Sequence, residues 1–235
     1  VSETNATTFL FSPQIDVAYR LSPTWNLSGT WGLGGLIDSE GLFEASLRVG
    51  NPLFAVGYGQ TKLTWAWSAS LGLTLPIVRI PSDPDGRLYT FLVNQNLAMN
   101  GMWNAWFWLR DFMAFPAQGI LTLPLTHSIP MTLVGAMAPL WGVRKQKKDI
   151  DLIAQISVAV NLPAYKHIDV APRLQLVFLP DPSVDRLQSA AALRVSYTAT
   201  KGHYYMEVLL NLDEPLGMIR GLRRWGFWFG KEWAQ

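Results

Sequence analysis

The chain has 235 residues, 49% of them hydrophobic and only 15% Asp, Glu, Lys or Arg, with a formal net charge of +2. An ordinary soluble domain carries roughly a quarter charged residues, and so small and scattered an excess of positive charge argues against a nucleic-acid partner. There is no cysteine, which excludes disulfides, thiolate metal sites and thiol chemistry.

The first residues, Val1 to Thr8, are polar and lack a basic-then-apolar export segment. The expectation is a mature chain whose signal has been removed. Alternation then begins. Phe11, Pro13, Ile15, Val17, Tyr19 and Leu21 stand against Ser12, Gln14, Asp16, Ala18 and Arg20. A period of two is the mark of a strand with unlike faces. The second segment sets Trp25, Leu27, Trp31 and Leu33 against Asn26, Ser28, Thr30 and Gly32. The third sets Phe43, Ala45, Leu47 and Val49 against Glu44, Ser46 and Arg48. Gly50-Asn51-Pro52 reads as a tight turn, and a short strand, Leu53 to Gly59, follows. The fifth segment alternates most clearly, with Leu63, Trp65, Trp67, Ala69, Leu71, Leu73 and Leu75 on one side and Thr64, Ala66, Ser68, Ser70, Gly72 and Thr74 on the other.

Pro76, Pro81, Pro84 and Gly86 end that run. Leu88 to Leu109 is ambiguous between a short helix, a loop folded over a barrel mouth and a further hairpin. A membrane-spanning helix there is disfavoured by Asn94, Gln95, Asn96, Asn100 and Asn104. Pro116, Pro124, Pro130 and Pro139 likewise argue against helices through the next charge-free stretch. The Arg110-Asp111 pair is read as solvated or at the lumen edge. Looser alternation covers Met113 to Leu125 and Pro130 to Trp141. The basic run Val143 to Asp149 is read as an exposed loop, with a lipid-phosphate or polyanion contact as the other reading. Four crisp segments follow, around Leu152 to Val160, Val170 to Phe178, Ala191 to Thr198 and His203 to Leu212, and Trp225 to Phe229 forms the last.

The pattern predicts an all-β fold: a closed antiparallel transmembrane β-barrel of about twelve strands, range 10–14, forming a single domain over residues 1–235. Segments of nine to thirteen residues suit a tilted crossing. Closure pairs every peptide group that an open edge would leave bare in hydrocarbon, at several kcal/mol each. An even strand number with both termini on one side is the usual bacterial solution. The longer connections near 76–112, 142–150, 181–187 and 214–222 are expected on one side, and the short turns near 126–129, 163–166 and 200–202 on the other. Trp25, Trp31, Trp65, Trp67, Trp141, Tyr204 and Trp225 are candidates for interfacial aromatic belts.

The lumen candidates are Asp16, Arg20, Glu44, Arg48, Asp151, Asp169, Arg173, Arg194 and Glu207. Such groups need partners or water. They either brace a narrow bore as ion pairs or line a wet pathway. Small lumen residues such as Ala18, Ser28, Gly32, Ser68, Ser70, Gly72, Ser157 and Ala159 leave either room for a bore or close backbone packing.

Phe43-Glu-Ala-Ser-Leu-Arg-Val-Gly-Asn-Pro52 followed by Trp65-Ala-Trp-Ser-Ala-Ser-Leu-Gly-Leu-Thr-Leu-Pro76 resembles strand pairs of bacterial outer-membrane β-barrels of porin-like type. The resemblance is architectural and spans most of the chain. It implies insertion in the bacterial outer membrane, passive passage of small solutes, and contact with membrane lipid and lipopolysaccharide. Oligomer and envelope-protein partners stay open. Such barrels often end in an aromatic residue; here Phe229 or Trp233 is the candidate, ahead of a Gln235 end. No cofactor or catalytic residue is expected. His127, His167 and His203 are widely spaced, and Gly32-Leu-Gly-Gly35 is too short for a phosphate loop. Two alternatives remain: a non-conducting scaffold filled by residues 88–109, and a rim-sited lipid hydrolase or acyltransferase built on Ser196 and His203.

Overall fold

The computed structural model describes residues 8–11, 14–38, 46–62, 64–78, 97, 102–143, 150–179, 186–200, 202–213 and 225–233. Fifteen strands form one sheet, with every pairing antiparallel. They are β1 (Thr8–Phe11), β2 (Gln14–Arg20), β3 (Trp25–Asp38), β4 (Ser46–Val49), β5 (Leu53–Thr61), β6 (Ala66–Thr74), β7 (Phe112–Ala114), β8 (Ala117–Pro124), β9 (Pro130–Gly142), β10 (Ile150–Val160), β11 (Leu162–Tyr165), β12 (Ile168–Phe178), β13 (Leu187–Ala199), β14 (Gly202–Asn211) and β15 (Trp225–Trp233).

Register shows that several of these are halves of one long arm. β1 and β2 pair with β3 in a single unbroken offset, from Thr8 opposite Asp38 to Arg20 opposite Asn26. β7 and β8 do the same against β9, and β10 runs on into β11 against β12. Eleven arms result. Each pairs only with its chain neighbours, so the sheet is a meander. Among the described residues no pairing joins β15 to β1 or β2.

The expected tight turn at Gly50–Pro52 is not a turn. Val49 lies opposite Leu33 and Leu53 opposite Thr30, so three residues on one strand face two on the other. This is a β-bulge, and β4 and β5 are one arm. A bulge and a turn draw on the same residue types, and only pairing tells them apart. The extra residue also flips the parity, so that the inward register passes from even positions such as Arg48 to odd ones such as Leu53. The turn expected at 163–166 sits slightly later, at residues 166–167, because Leu162–Tyr165 still pairs with β12.

Connections at one end, 21–24, 62–65, 125–129, 166–167 and 200–201, have two to five residues. Those at the other, 39–45, 75–111, 143–149, 179–186 and 212–224, have seven to thirty-seven. The long-versus-short asymmetry read from the loops therefore holds. The basic run from 144 to 149 and most of 181–187 and 214–222 lie outside the described residues.

Paired residues share a face, so register sorts the side chains. The outer face carries Ile15, Val17, Leu71, Ile156, Leu193, Met206 and Phe229, all large apolar groups and all exposed; Phe229 is 79% exposed. Among outward positions of the described strands the only charged residue is Lys231, over the Tyr204 ring. A monomer in water rarely shows more than a few hundred Å² of such surface in one patch. Here it runs over every arm, which is the signature of a lipid-facing wall. Aromatic rings collect near the short-turn end. Trp25 packs edge-on against Tyr58 at 5.0 Å, with Trp67 beyond it, and Lys62 lies over Trp65. Among the other belt candidates, Trp31, Trp141 and Tyr204 are exposed outside, and Trp225 opens β15.

Candidate lumen and its crossbar

The inner face divides into two unlike halves. Toward the long loops it is dry. Ala136, Ala138 and Leu140 of β9, Ile153 of β10 and Val177 of β12 point inward and are buried. They are covered by Leu97, Met102, Ala105, Trp106, Phe107 and Trp108, from the segment that the sequence left ambiguous. Residues 88–96 and 98–101 of that segment lie outside the described residues. Leu97 is helical, and Ala105–Phe107 form a 3-10 turn seated inside the curl of the sheet.

Two anchors hold it, on opposite sides. One is Asn51, the extra residue of the bulge, which is 0% exposed. Its Nδ2 donates to the Trp106 carbonyl at 3.2 Å and the Leu109 carbonyl at 2.8 Å, and its Oδ1 accepts from the Val78 N–H at 3.0 Å. Its own N–H donates to the Phe107 carbonyl. The other anchor is Gln155 on β10. It accepts from the Asn104 N–H at 2.9 Å, and its amide donates to Asn104 Oδ1 at 2.8 Å. The arms of Asn51 and Gln155 are four apart in the sheet, about 19 Å along it at normal strand spacing. A segment this short touches both only because the sheet curls around it.

The wall makes room for it. A Cβ on Gly32 would lie 3.4 Å from the Trp108 ring, and one on Gly50 3.1 Å from the Phe107 carbonyl. Met102, Asn104 and Asp111 all hold positive φ near 60°. Each costs of order 1–3 kcal/mol in a residue other than glycine and persists only where surroundings impose it. Thr74, fully buried, ties the base of the segment by accepting from the Ala114 N–H at 2.8 Å. Arg110 and Asp111 form an ion pair at 2.8 Å, with the arginine side chain 40% exposed.

Toward the short turns the inner face is polar. Glu207 on β14 receives two guanidiniums, Arg173 Nη2 at 2.7 Å and Arg194 Nε at 3.0 Å. Arg194 also stacks over the Tyr205 ring at 4.3 Å. One carboxylate thus balances two cations along the wall, between neighbouring arms. A cavity of about 710 Å³ opens at the rim of this end, lined by inward Arg20, Asn26, Ser68 and Thr122 and by outward Gln60 and Trp67. Between the crossbar and arms one to five lies a smaller space of about 220 Å³, lined by Gln14, Asp16, Ser28, Thr30, Ser70 and Gln118 on one side and Asn104, Trp106 and Phe107 on the other. The Asp16 carboxylate there accepts from Gln14 Nε2 at 2.9 Å and Thr30 Oγ1 at 2.7 Å.

Of the lumen candidates, Asp16, Arg20, Asp151, Asp169, Arg173, Arg194 and Glu207 occupy inward positions by register. Only Arg173, Arg194 and Glu207 come together. Arg48 sits at an inward register position opposite Gly34, and Glu44 lies outside the described residues. Sequence reading missed Asn51, Asn104 and Gln155. A bulge-forming Gly-Asn-Pro was the available signal for the first; the others gave none. Ser196 faces Tyr205 across the ladder, and the His203 ring nitrogen meets Thr198 Oγ1 at 3.0 Å instead. A nucleophile needs its base within hydrogen-bond reach, and the Ser196–His203 contact is not formed. Among the described residues no group of three His, Asp or Glu side chains converges as a metal site.

No family model matches the chain, and no curated protein matches it by sequence. Solved structures do match by shape. The NanC porin superposes with a TM-score of 0.61 at 9% identity, covering 98% of this chain and 97% of that one. An outer membrane channel from Pseudomonas putida F1 superposes with a TM-score of 0.57 at 13% identity, covering 94% of this chain and 81% of that one. At such identities the likeness is one of fold, and the chain has the all-β antiparallel fold of these outer-membrane channels.

Proposed function

We propose that the protein is a single-domain closed β-barrel of the bacterial outer membrane that lets small solutes pass passively. The observation that carries this is the sorting of side chains over eleven arms: outward almost wholly apolar, with Lys231 the one charge among the described outward positions, and inward a polar half joined to a polar slot. A wall facing hydrocarbon needs the first, and a water-filled path needs the second. The fold shared with a porin and an outer membrane channel supports it. Closure follows from cost: the outer edges of β1–β2 and of β15 would otherwise leave a row of peptide groups unpaired in lipid. Lipid contacts the outer face all round, and lipopolysaccharide contacts it at the long-loop end.

The test is stepwise ion conductance by the purified, detergent-extracted protein in planar bilayers. Steady steps support a channel. Silence from a folded, inserted barrel overturns it. One observation favours a second reading, a non-conducting scaffold: Met102, Trp106, Phe107 and Trp108 occupy the long-loop part of the interior, packed against β9, β10 and β12. Silence in the same experiment selects that reading.

A further inference from the structure

We propose that residues 102–109 form a permanently seated crossbar, latched by Asn51 on one wall and Gln155 on the other, and that the slot between crossbar and arms one to five limits the size of what crosses. The size limit rests on the channel reading; the latch itself does not. A loop that swings in and out of a pore needs a low-cost released state. This one has none. Release would strand the Asn51 side-chain and backbone N–H donors, fully buried, together with the carbonyls of Trp106, Phe107 and Leu109. It would also expose three large aromatic rings that are each at most 5% exposed. Gly32 and Gly50 are shaped to the seated position, one under the Trp108 ring and one against the Phe107 carbonyl. The reciprocal pair between Asn104 and Gln155 fixes the far end, where Asn104 holds a left-handed backbone.

With the crossbar fixed, passage is confined to the other side. There the wall offers hydroxyls and amides from Ser28, Thr30, Ser70 and Gln118, and one carboxylate already engaged by its neighbours. Such a slot discriminates by width and hydrogen bonding. Asn51 and Gln155 are positioning residues: neither lines it, yet both set its width.

The chain has no cysteine, so a single thiol can report on the slot. Gln118→Cys places one on the wall facing the crossbar. A membrane-impermeant thiol reagent should label it slowly in the otherwise unchanged protein, and about tenfold faster once Asn51→Ala or Gln155→Ala shifts the seated–released balance. Single-channel conductance should at least roughly double in the same two variants, and larger neutral polymers should enter, because the bore radius sets both. Gln155→Asn, shorter by one methylene, should fall between. Retained resistance of the folded band to detergent without heating separates release from misfolding. Equal labelling rates in folded variants overturn the latch. Faster labelling with no current from any variant keeps the latch and removes the channel. Wild-type current that flickers spontaneously between narrow and wide levels also overturns a permanent seat.

Discussion

The two ends of the interior obey different rules. At the short-turn end the inner wall carries Arg20, Arg173, Arg194, Tyr205 and Glu207, and two guanidiniums are balanced on one carboxylate. Toward the long loops, inward positions of β9, β10 and β12 carry Ala136, Ala138, Leu140, Ile153 and Val177, and a 3-10 turn packs its aromatic rings against them; the polar groups there, Gln175, Gln188 and Asn211, are buried. Inward does not mean wet. The alternation of a strand sorts side chains between lipid and interior, but what the interior contains decides whether an inward residue should be polar.

This contrast can be broken by substitution, and the largest effect should come from a charge in the dry half. Ala138 is 0% exposed, and Ala138→Asp leaves an unpaired carboxylate there, a loss of about 3–5 kcal/mol. It should be read from the urea midpoint of folding into lipid vesicles. Next is Glu207→Ala, which leaves two guanidiniums facing each other. The loss should be about 2 kcal/mol, below the fully buried case, because the Arg194 side chain is 35% exposed and water screens it. The same unfolding curve checks it, and Glu207→Ala with Arg173→Met should recover part of the loss. Asn51→Ala should cost about 1–3 kcal/mol through stranded carbonyls and N–H groups. Its slope against urea should fall too if the crossbar leaves its seat. Smallest is Ser196→Ala in the wet half, half-buried on the polar wall, where the change should stay within about 0.5 kcal/mol. A loss as large as that of Ala138→Asp would show that both halves are equally dry.

Much of the fold was legible because it rests on a period of two. Leu63 to Leu75 and Leu152 to Val160 show their faces without any knowledge of partners, and loop length shows which ends are alike. The lumen was legible only as a set of residues on one face. Arg173, Arg194 and Glu207 are far apart in sequence, and their ion pairs exist only because β12, β13 and β14 align in a particular register. Gly50-Asn51-Pro52 was misread because a bulge and a turn spend the same residues. Residues 102–109 follow no period, so nothing local says which surface they cover.

The sequence by itself determined an all-β chain with one lipid-compatible face, short turns at one end and long connections at the other. These are properties of neighbours along the chain, where steric alternation and turn chemistry act. Only the tertiary structure decided that half the interior is dry, that one asparagine in a bulge carries a crossbar, and that a glutamine four arms away receives its far end. Those outcomes depend on which distant surfaces meet once the sheet curls, and a local pattern carries no record of that meeting.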